Sequence, residues 1–171
     1  MIESLKGMRD VLPQDQPYWD FLEEALKTTA QHFSFLRIRT PALEKTENFV
    51  RSAGRQTDPV QKEMYSFKTK LGDSLTLKPE NTASVTRSYI ENGMKSWAQP
   101  VKLYYFDAFF RHERSSHMQL RQFHQIGFEQ IGLEGSAIDA ELIAVAYYFL
   151  NATGLDSFEF QVNTLGDSAC Q

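Results

Sequence analysis

Arg121-Gln122-Phe123-His124-Gln125-Ile126-Gly127-Phe128-Glu129-Gln130-Ile131 is the stretch whose reading decides the fold of this chain. Successive side chains of an extended strand point to opposite faces, so residues two apart share a face. Arg121, Phe123, Gln125, Gly127 and Glu129 then lie on one face, and Ile126 and Phe128 on the other. The apolar pair is expected to face a core. The opposite face combines a cation, a ring, an amide and a carboxylate, with a gap at Gly127 where no side chain blocks close approach. Such a face suits the floor of a cleft for a ligand with phosphate, a flat ring and hydrogen-bonding groups. Taken singly, each part has an ordinary structural explanation. Arg111 with Glu113 or Glu129 would be a surface ion pair worth less than ~1 kcal/mol. One exposed ring is common, and a carboxylate such as Glu80 in the first turn of a helix stabilises it by roughly 0.3–1 kcal/mol. Their convergence on one face, with the apolar residues on the other, favours the cleft.

Working outward, Val101 to Arg114 alternates in the same way and puts Arg111 and Glu113 on one face. The loop between the two runs is short, so they are expected to pair as antiparallel neighbours. Tyr65 and Phe67, then Leu75 and Leu77, flank Leu71-Gly72-Asp73 and predict a hairpin turning at Gly72. Lys78-Pro79 favours an extended residue followed by a helix from about Glu80 to Met94. Tyr18, Phe21, Leu22, Ala25, Leu26 and Phe33 recur at helical spacing behind Pro17, and Phe35 to Arg39 then turns extended. Ser136 with Asp139 has the spacing of a capping box, opening a helix that Gly154 stops. Phe158, Phe160 and Val162 alternate as one more strand. Strands cluster, with helices before, between and after them, which predicts an α+β fold with a largely antiparallel sheet flanked by helices.

At 171 residues the chain reads as a single domain, and 42% hydrophobic with 23% charged residues is the composition of a chain that packs a core. The longest apolar run, Leu142 to Leu150, is about half of the ~20 residues a membrane helix needs, and Met1 to Asp10 lacks the apolar core of a secretion signal. The expected location is cytoplasmic, with no membrane partner. A net charge of −4 argues against nonspecific coating of nucleic acid, so a nucleic-acid partner would be held locally. Cys170 is the single cysteine, which excludes an intrachain disulfide. His112, His117 and His124 invite a metal reading, but His117 follows His112-Glu113 at five residues rather than four, and the segment is strand and loop. No metal site is expected from them. Neither G-x-G nor G-x-x-x-x-G-K occurs, so Rossmann and P-loop phosphate cradles are excluded.

Lys6-Gly7-Met8-Arg9-Asp10-Val11-Leu12-Pro13, the segment Ile38 to Phe49, Leu75-Thr76-Leu77-Lys78-Pro79-Glu80-Asn81-Thr82, Phe110-Arg111-His112-Glu113-Arg114, Arg121 to Gln125 and Val162-Asn163-Thr164-Leu165-Gly166 together resemble the histidyl-tRNA synthetase family. The resemblance implies a class II aminoacyl-tRNA synthetase catalytic fold, with a dimer-forming motif 1 around Pro41 and an ATP-binding motif 2 over Phe110 to Glu129. It also implies roles for particular residues. Arg111 would grip the α-phosphate of ATP and the carboxylate of L-histidine. Glu113 would accept from the adenine amino group, Phe123 would stack on adenine, and Arg121 would join the ATP site. Glu80, Thr82 and Gln125 would hold the amino-acid ammonium, with Asn81 in the same histidine-binding loop where the family usually has Gly. Glu129 would read the imidazole. Mg²⁺ would accompany ATP, and the acceptor end of tRNA(His) would approach the motif 2 loop.

Ser115-Ser116 and Met118-Gln119 depart from the family's usual motif 2 loop, which loses an Arg that normally helps with the terminal phosphates. The resemblance further implies that residues 1–171 are part of a catalytic domain, without motif 3 or an anticodon-binding domain, and with little activity alone. Self-association is expected through Phe35 to Gly54. A rival is a non-catalytic histidine-binding protein, similar to the synthetase-like regulatory subunit of ATP phosphoribosyltransferase; the altered loop leans toward it, and Glu113, Phe123, Gln125 and Glu129 lean toward the enzyme.

Overall fold

A computed structural model describes residues 2–52, 63–112 and 120–163. The first helix, α1 (Gln16–His32), opens with Pro17 in its first turn and buries Leu26, Thr29 and Ala30. It stops at Ser34, a non-glycine residue at φ 61°, where the Phe35 amide donates back to the Ala30 carbonyl at 2.8 Å. The chain then enters β1 (Leu36–Arg37), β2 (Leu43–Lys45) and α2 (Thr46–Ser52). The expected hairpin forms as β3 (Ser66–Lys68) and β4 (Ser74–Leu77), and Gly72 takes the positive φ of 93° that the turn requires. After α3 (Thr82–Glu91) and a 3₁₀ turn at Met94–Ser96 come the long strands β5 (Val101–Phe110) and β6 (Gln122–Ile131), then α4 (Ser136–Ala152).

Among the described residues these strands make two three-stranded sheets, β1-β5-β6 and β2-β4-β3. All pairings are antiparallel except β1 with β5. In the β5–β6 ladder Phe109 lies opposite Phe123, Asp107 opposite Gln125, Tyr105 opposite Gly127 and Leu103 opposite Glu129. Both faces of this ladder are packed. Tyr104, Phe106, Ile126 and Phe128 meet Leu26 and Ala30 of α1 and Val145 of α4 on one side. On the other, Val101, Leu103, Tyr105 and Phe109 pack with Val85 of α3 and Met94. So the parity drawn from the sequence holds, but the polar face of β6 is not open along its whole length: β5 contributes a core to that same face, and it seats α3.

Several boundaries differ from expectation for local reasons. The helix expected to begin at Glu80 starts at Thr82, because Glu80 lies outside it and accepts from its first amides, and it ends at Glu91 ahead of left-handed Gly93. The strand expected to reach Arg114 ends at Phe110. Ser136 makes no capping bond; Gly135, at φ 134°, is the residue before the helix, and its carbonyl accepts from the Ile138 amide. Residues 158–162 form no strand, since no partner strand lies beside them among the described residues. Their rings pack instead on α4, with Phe158 centred 5.5 Å and Phe160 6.4 Å from Tyr147. His124 lies on the face away from Phe123 and Glu129, edge-on to Trp19 at 4.5 Å. No helix among the described residues is long and apolar enough to cross a membrane.

Candidate active site

The polar groups singled out on β6 meet the N-terminus of α3 and the end of β5. Glu80 precedes α3, and its two carboxylate oxygens accept from the Thr82 amide at 2.6 Å and the Ala83 amide at 3.1 Å. A carboxylate there satisfies otherwise unpaired helix donors and sits favourably in the helix dipole. Fixed in this way, α3 presents the Thr82 hydroxyl to Glu129, which accepts from it at 2.8 Å across the space between helix and sheet. The Tyr105 hydroxyl donates to the same Glu129 oxygen at 3.4 Å.

Glu129 is half-buried, and burial pushes its carboxyl above the usual carboxylate value. The donated bonds from Thr82 and Tyr105 pull it down, while the nearby Glu80 charge pushes it up. Burial, reinforced by the Glu129 and Glu80 charges, lifts the Tyr105 hydroxyl far above its ordinary range, so Tyr105 is a proton donor here. The Glu129 carboxylate keeps acceptor capacity beyond these two bonds. It is suited to receive an N–H from a ligand.

Tyr105 was not singled out in the sequence, and it corrects one expectation. The gap at Gly127 is filled by this ring. A Cβ at position 127 would fall 2.2 Å from Tyr105 Cζ and 2.3 Å from its hydroxyl oxygen, so the glycine admits a side chain of the protein, not a ligand. Gly127→Ala should therefore displace a ring that is only 6% exposed and lower the stability to chemical denaturation by about 1–3 kcal/mol. Pairing it with Tyr105→Leu should recover most of that loss. Two substitutions that simply add would show that ring and glycine do not share the space.

At the other end, Arg111 leaves β5 with its Nε donating to the Pro79 carbonyl at 3.0 Å, and its guanidinium carbon lies 5.1 Å from the centre of the Phe123 ring. Phe123 in turn leans on buried Phe109, ring centres 6.2 Å apart. Arg111 thus ties the loop carrying Glu80 to the aromatic platform. Gln125, half-buried, lies between the two ends, opposite Asp107. Arg121 extends the ladder as its amide donates to the Gly7 carbonyl and its carbonyl accepts from the Arg111 amide; its buried Nε has no partner among the described residues. Asn81 is placed differently from a surface ligand contact. It is fully buried, and its side-chain carbonyl accepts from the Thr40 hydroxyl at 2.6 Å. The expectations for Glu113, for the loop Ser115 to Gln119 and for Thr164 to Gly166 lie outside the described residues.

An antiparallel strand pair bearing a ring, a cation and a carboxylate in line, faced by a helix whose first turn is capped by a second carboxylate from the preceding loop, is the fold of the class II aminoacyl-tRNA synthetases. Solved structures agree. The apo S. aureus histidyl-tRNA synthetase superposes with a TM-score of 0.77 at 38% identity, covering 91% of this chain and 41% of that one. A Bacillus halodurans protein described as an ATP phosphoribosyltransferase regulatory subunit/histidyl-tRNA synthetase gives 0.77 at 27% identity, covering 90% and 38%. A histidine–tRNA ligase of Dehalococcoides mccartyi is 43% identical over all 171 residues, and the family model for histidyl-tRNA synthetase matches residues 7–166. The chain belongs to the histidyl-tRNA synthetase family. It spans about 41% of the length of that curated relative.

Proposed function

We propose that this chain supplies the ATP- and histidine-facing half of a histidine–tRNA ligase active site. The observation that carries the reading is the order of groups along one face of β6: Phe123, then Gln125, then Glu129, with Arg111 over the first and Thr82 bonded to the last. The six steps of strand from Phe123 to Glu129 extend about 20 Å. That length suits an amino acid joined to a nucleotide, with a flat base at one end and a small hydrogen-bonding ring at the other.

In this reading Phe123 stacks on adenine and Glu113 accepts from its amino group. Arg111 draws the carboxylate of L-histidine and the α-phosphate of ATP together. Glu80, Thr82 and Gln125 hold the ammonium, Asn81 shapes their loop from beneath, and Glu129 accepts the imidazole N–H. The histidine carboxylate displaces pyrophosphate at the α-phosphate, and the histidyl group then passes to the acceptor end of tRNA(His). The protein's part is positioning and charge neutralisation. Arg121 supports the phosphate end. Mg²⁺ would accompany ATP and would offset the charge of its phosphates. A second copy would pair through the motif 1 region around β2 and α2, and the work would be done in the cytoplasm.

Titration of the chain with ATP and with L-histidine by calorimetry tests this. Phe123→Ala should weaken ATP binding roughly tenfold, since a stacked base is worth about 1–3 kcal/mol, and should leave histidine binding in place. ATP affinity unchanged by that substitution would remove Phe123 from the site. The purely histidine-sensing alternative would bind histidine with no response to ATP.

A further inference from the structure

We infer that Lys78 is a positioning residue for the amino-acid end of the site, acting through Thr40 and Asn81 on the loop that carries Glu80 and Thr82; the inference rests on the reading of that end as a histidine site. Its side chain is 3% exposed. The ammonium lies 3.0 Å from Asp107 Oδ2, 3.2 Å from Thr40 Oγ1 and 3.3 Å from the Thr40 carbonyl, with the Phe109 ring centre 5.1 Å away. An ammonium has three protons and no lone pair, so it is the donor in all three bonds. Thr40 Oγ1 must therefore accept from Lys78, and its own proton is left for Asn81 Oδ1 at 2.6 Å. The ammonium thus occupies one lone pair of the Thr40 oxygen and leaves the Thr40 proton available to Asn81.

The consequence falls on Asn81, the residue from which α3 starts. Its carboxamide is oriented with the oxygen toward Thr40, which gives the Thr40 proton its acceptor; turned over, the amide would compete with Lys78 as a second donor to that oxygen and leave the proton without one. The Nδ2 group, buried and without a partner among the described residues, is then held on the side away from Thr40. The backbone around it is tethered at each step. The Lys78 amide donates to the Ala42 carbonyl, its carbonyl accepts from Phe110, Pro79 accepts from Arg111, and Asn81 accepts from Val85. An ion pair whose ammonium is buried and whose carboxylate is only partly so is a poor choice for stability alone, since well-packed apolar residues commonly do as well. Here it has a directional task that an apolar side chain could not perform.

The test uses L-histidine and ATP as separate probes on the wild-type chain, Lys78→Met, Lys78→Arg and Thr40→Val. Lys78→Met and Thr40→Val should each weaken histidine binding about tenfold with ATP affinity changed less than about threefold, the scale of coupling through a shared network. Lys78→Arg should restore most of the loss. The Thr82 and Ala83 amide resonances, which report the Glu80 carboxylate bonds, should move in the first two variants and return in the third. If Lys78→Met does not fold, Thr40→Val carries the test alone, because it leaves the Lys78–Asp107 pair in place. Unchanged histidine affinity in a folded variant, or histidine and ATP affinities falling together, would overturn the role of Lys78. A wild-type chain that binds ATP and ignores histidine would overturn the reading of the site itself.

Discussion

Glu129→Gln is expected to weaken histidine binding by one to two orders of magnitude and, at neutral pH, to make the protein more heat-stable. The binding loss follows from replacing a charged acceptor by a neutral one in a half-buried place, where a charge-assisted hydrogen bond contributes about 1.5–3 kcal/mol. The stability gain follows from linkage. Burial raises the carboxyl of Glu129 in the folded protein above its unfolded value. Stability from such a group is fully present below the unfolded carboxylate range, near pH 4, and is lost as pH rises through the raised folded value. At pH 7 the ionised carboxylate therefore opposes folding, and glutamine, which cannot ionise, does not. Melting curves should show the variant a few degrees above the wild type at pH 7, with the difference closing near pH 4. A variant no more stable than the wild type at pH 7, or a gap that persists in acid, would mean that the carboxylate is not strained by its surroundings.

Phe109→Ala should be the most damaging single change in the chain. Phe109 is fully buried, packs in the core under α3, supports Phe123 and lies against the Lys78 ammonium. Truncating a buried phenylalanine costs about 3–5 kcal/mol, a large share of the 5–15 kcal/mol by which domains are stable. The melting temperature should fall by roughly 10 °C or more. ATP binding should weaken as well, since the ring beneath the Phe123 platform is gone. A loss under about 1 kcal/mol would show that this core closes over the space without difficulty.

Much of this architecture was legible because it depends on local rules. Period-two alternation placed Phe123, Gln125 and Glu129 of β6 on one face, Pro17 opened α1, and Gly72 marked the hairpin turn. What escaped depends on which elements meet. Tyr105 has no local signature; its place over Gly127 needs the β5–β6 register, which alternation within each strand does not fix. The role of Asn81 was similarly hidden, because the Thr40 hydroxyl that holds it is forty-one residues away in the chain. Residues 158–162 carry a good strand pattern but no neighbour to pair with among the described residues, and pattern alone does not make a ladder. The capping box failed for a different reason: Gly135, free to adopt a positive φ, turned the chain one residue earlier.

The interlock of Tyr105 with Gly127 also constrains how this surface can diverge. Any larger residue at 127 is accessible only after the ring at 105 has been reduced, while a smaller residue at 105 first opens a void and removes a hydroxyl from Glu129. The viable route between two such pairs passes through the second kind of intermediate, so mutational histories at this spot should run in one order, with position 105 changing before position 127.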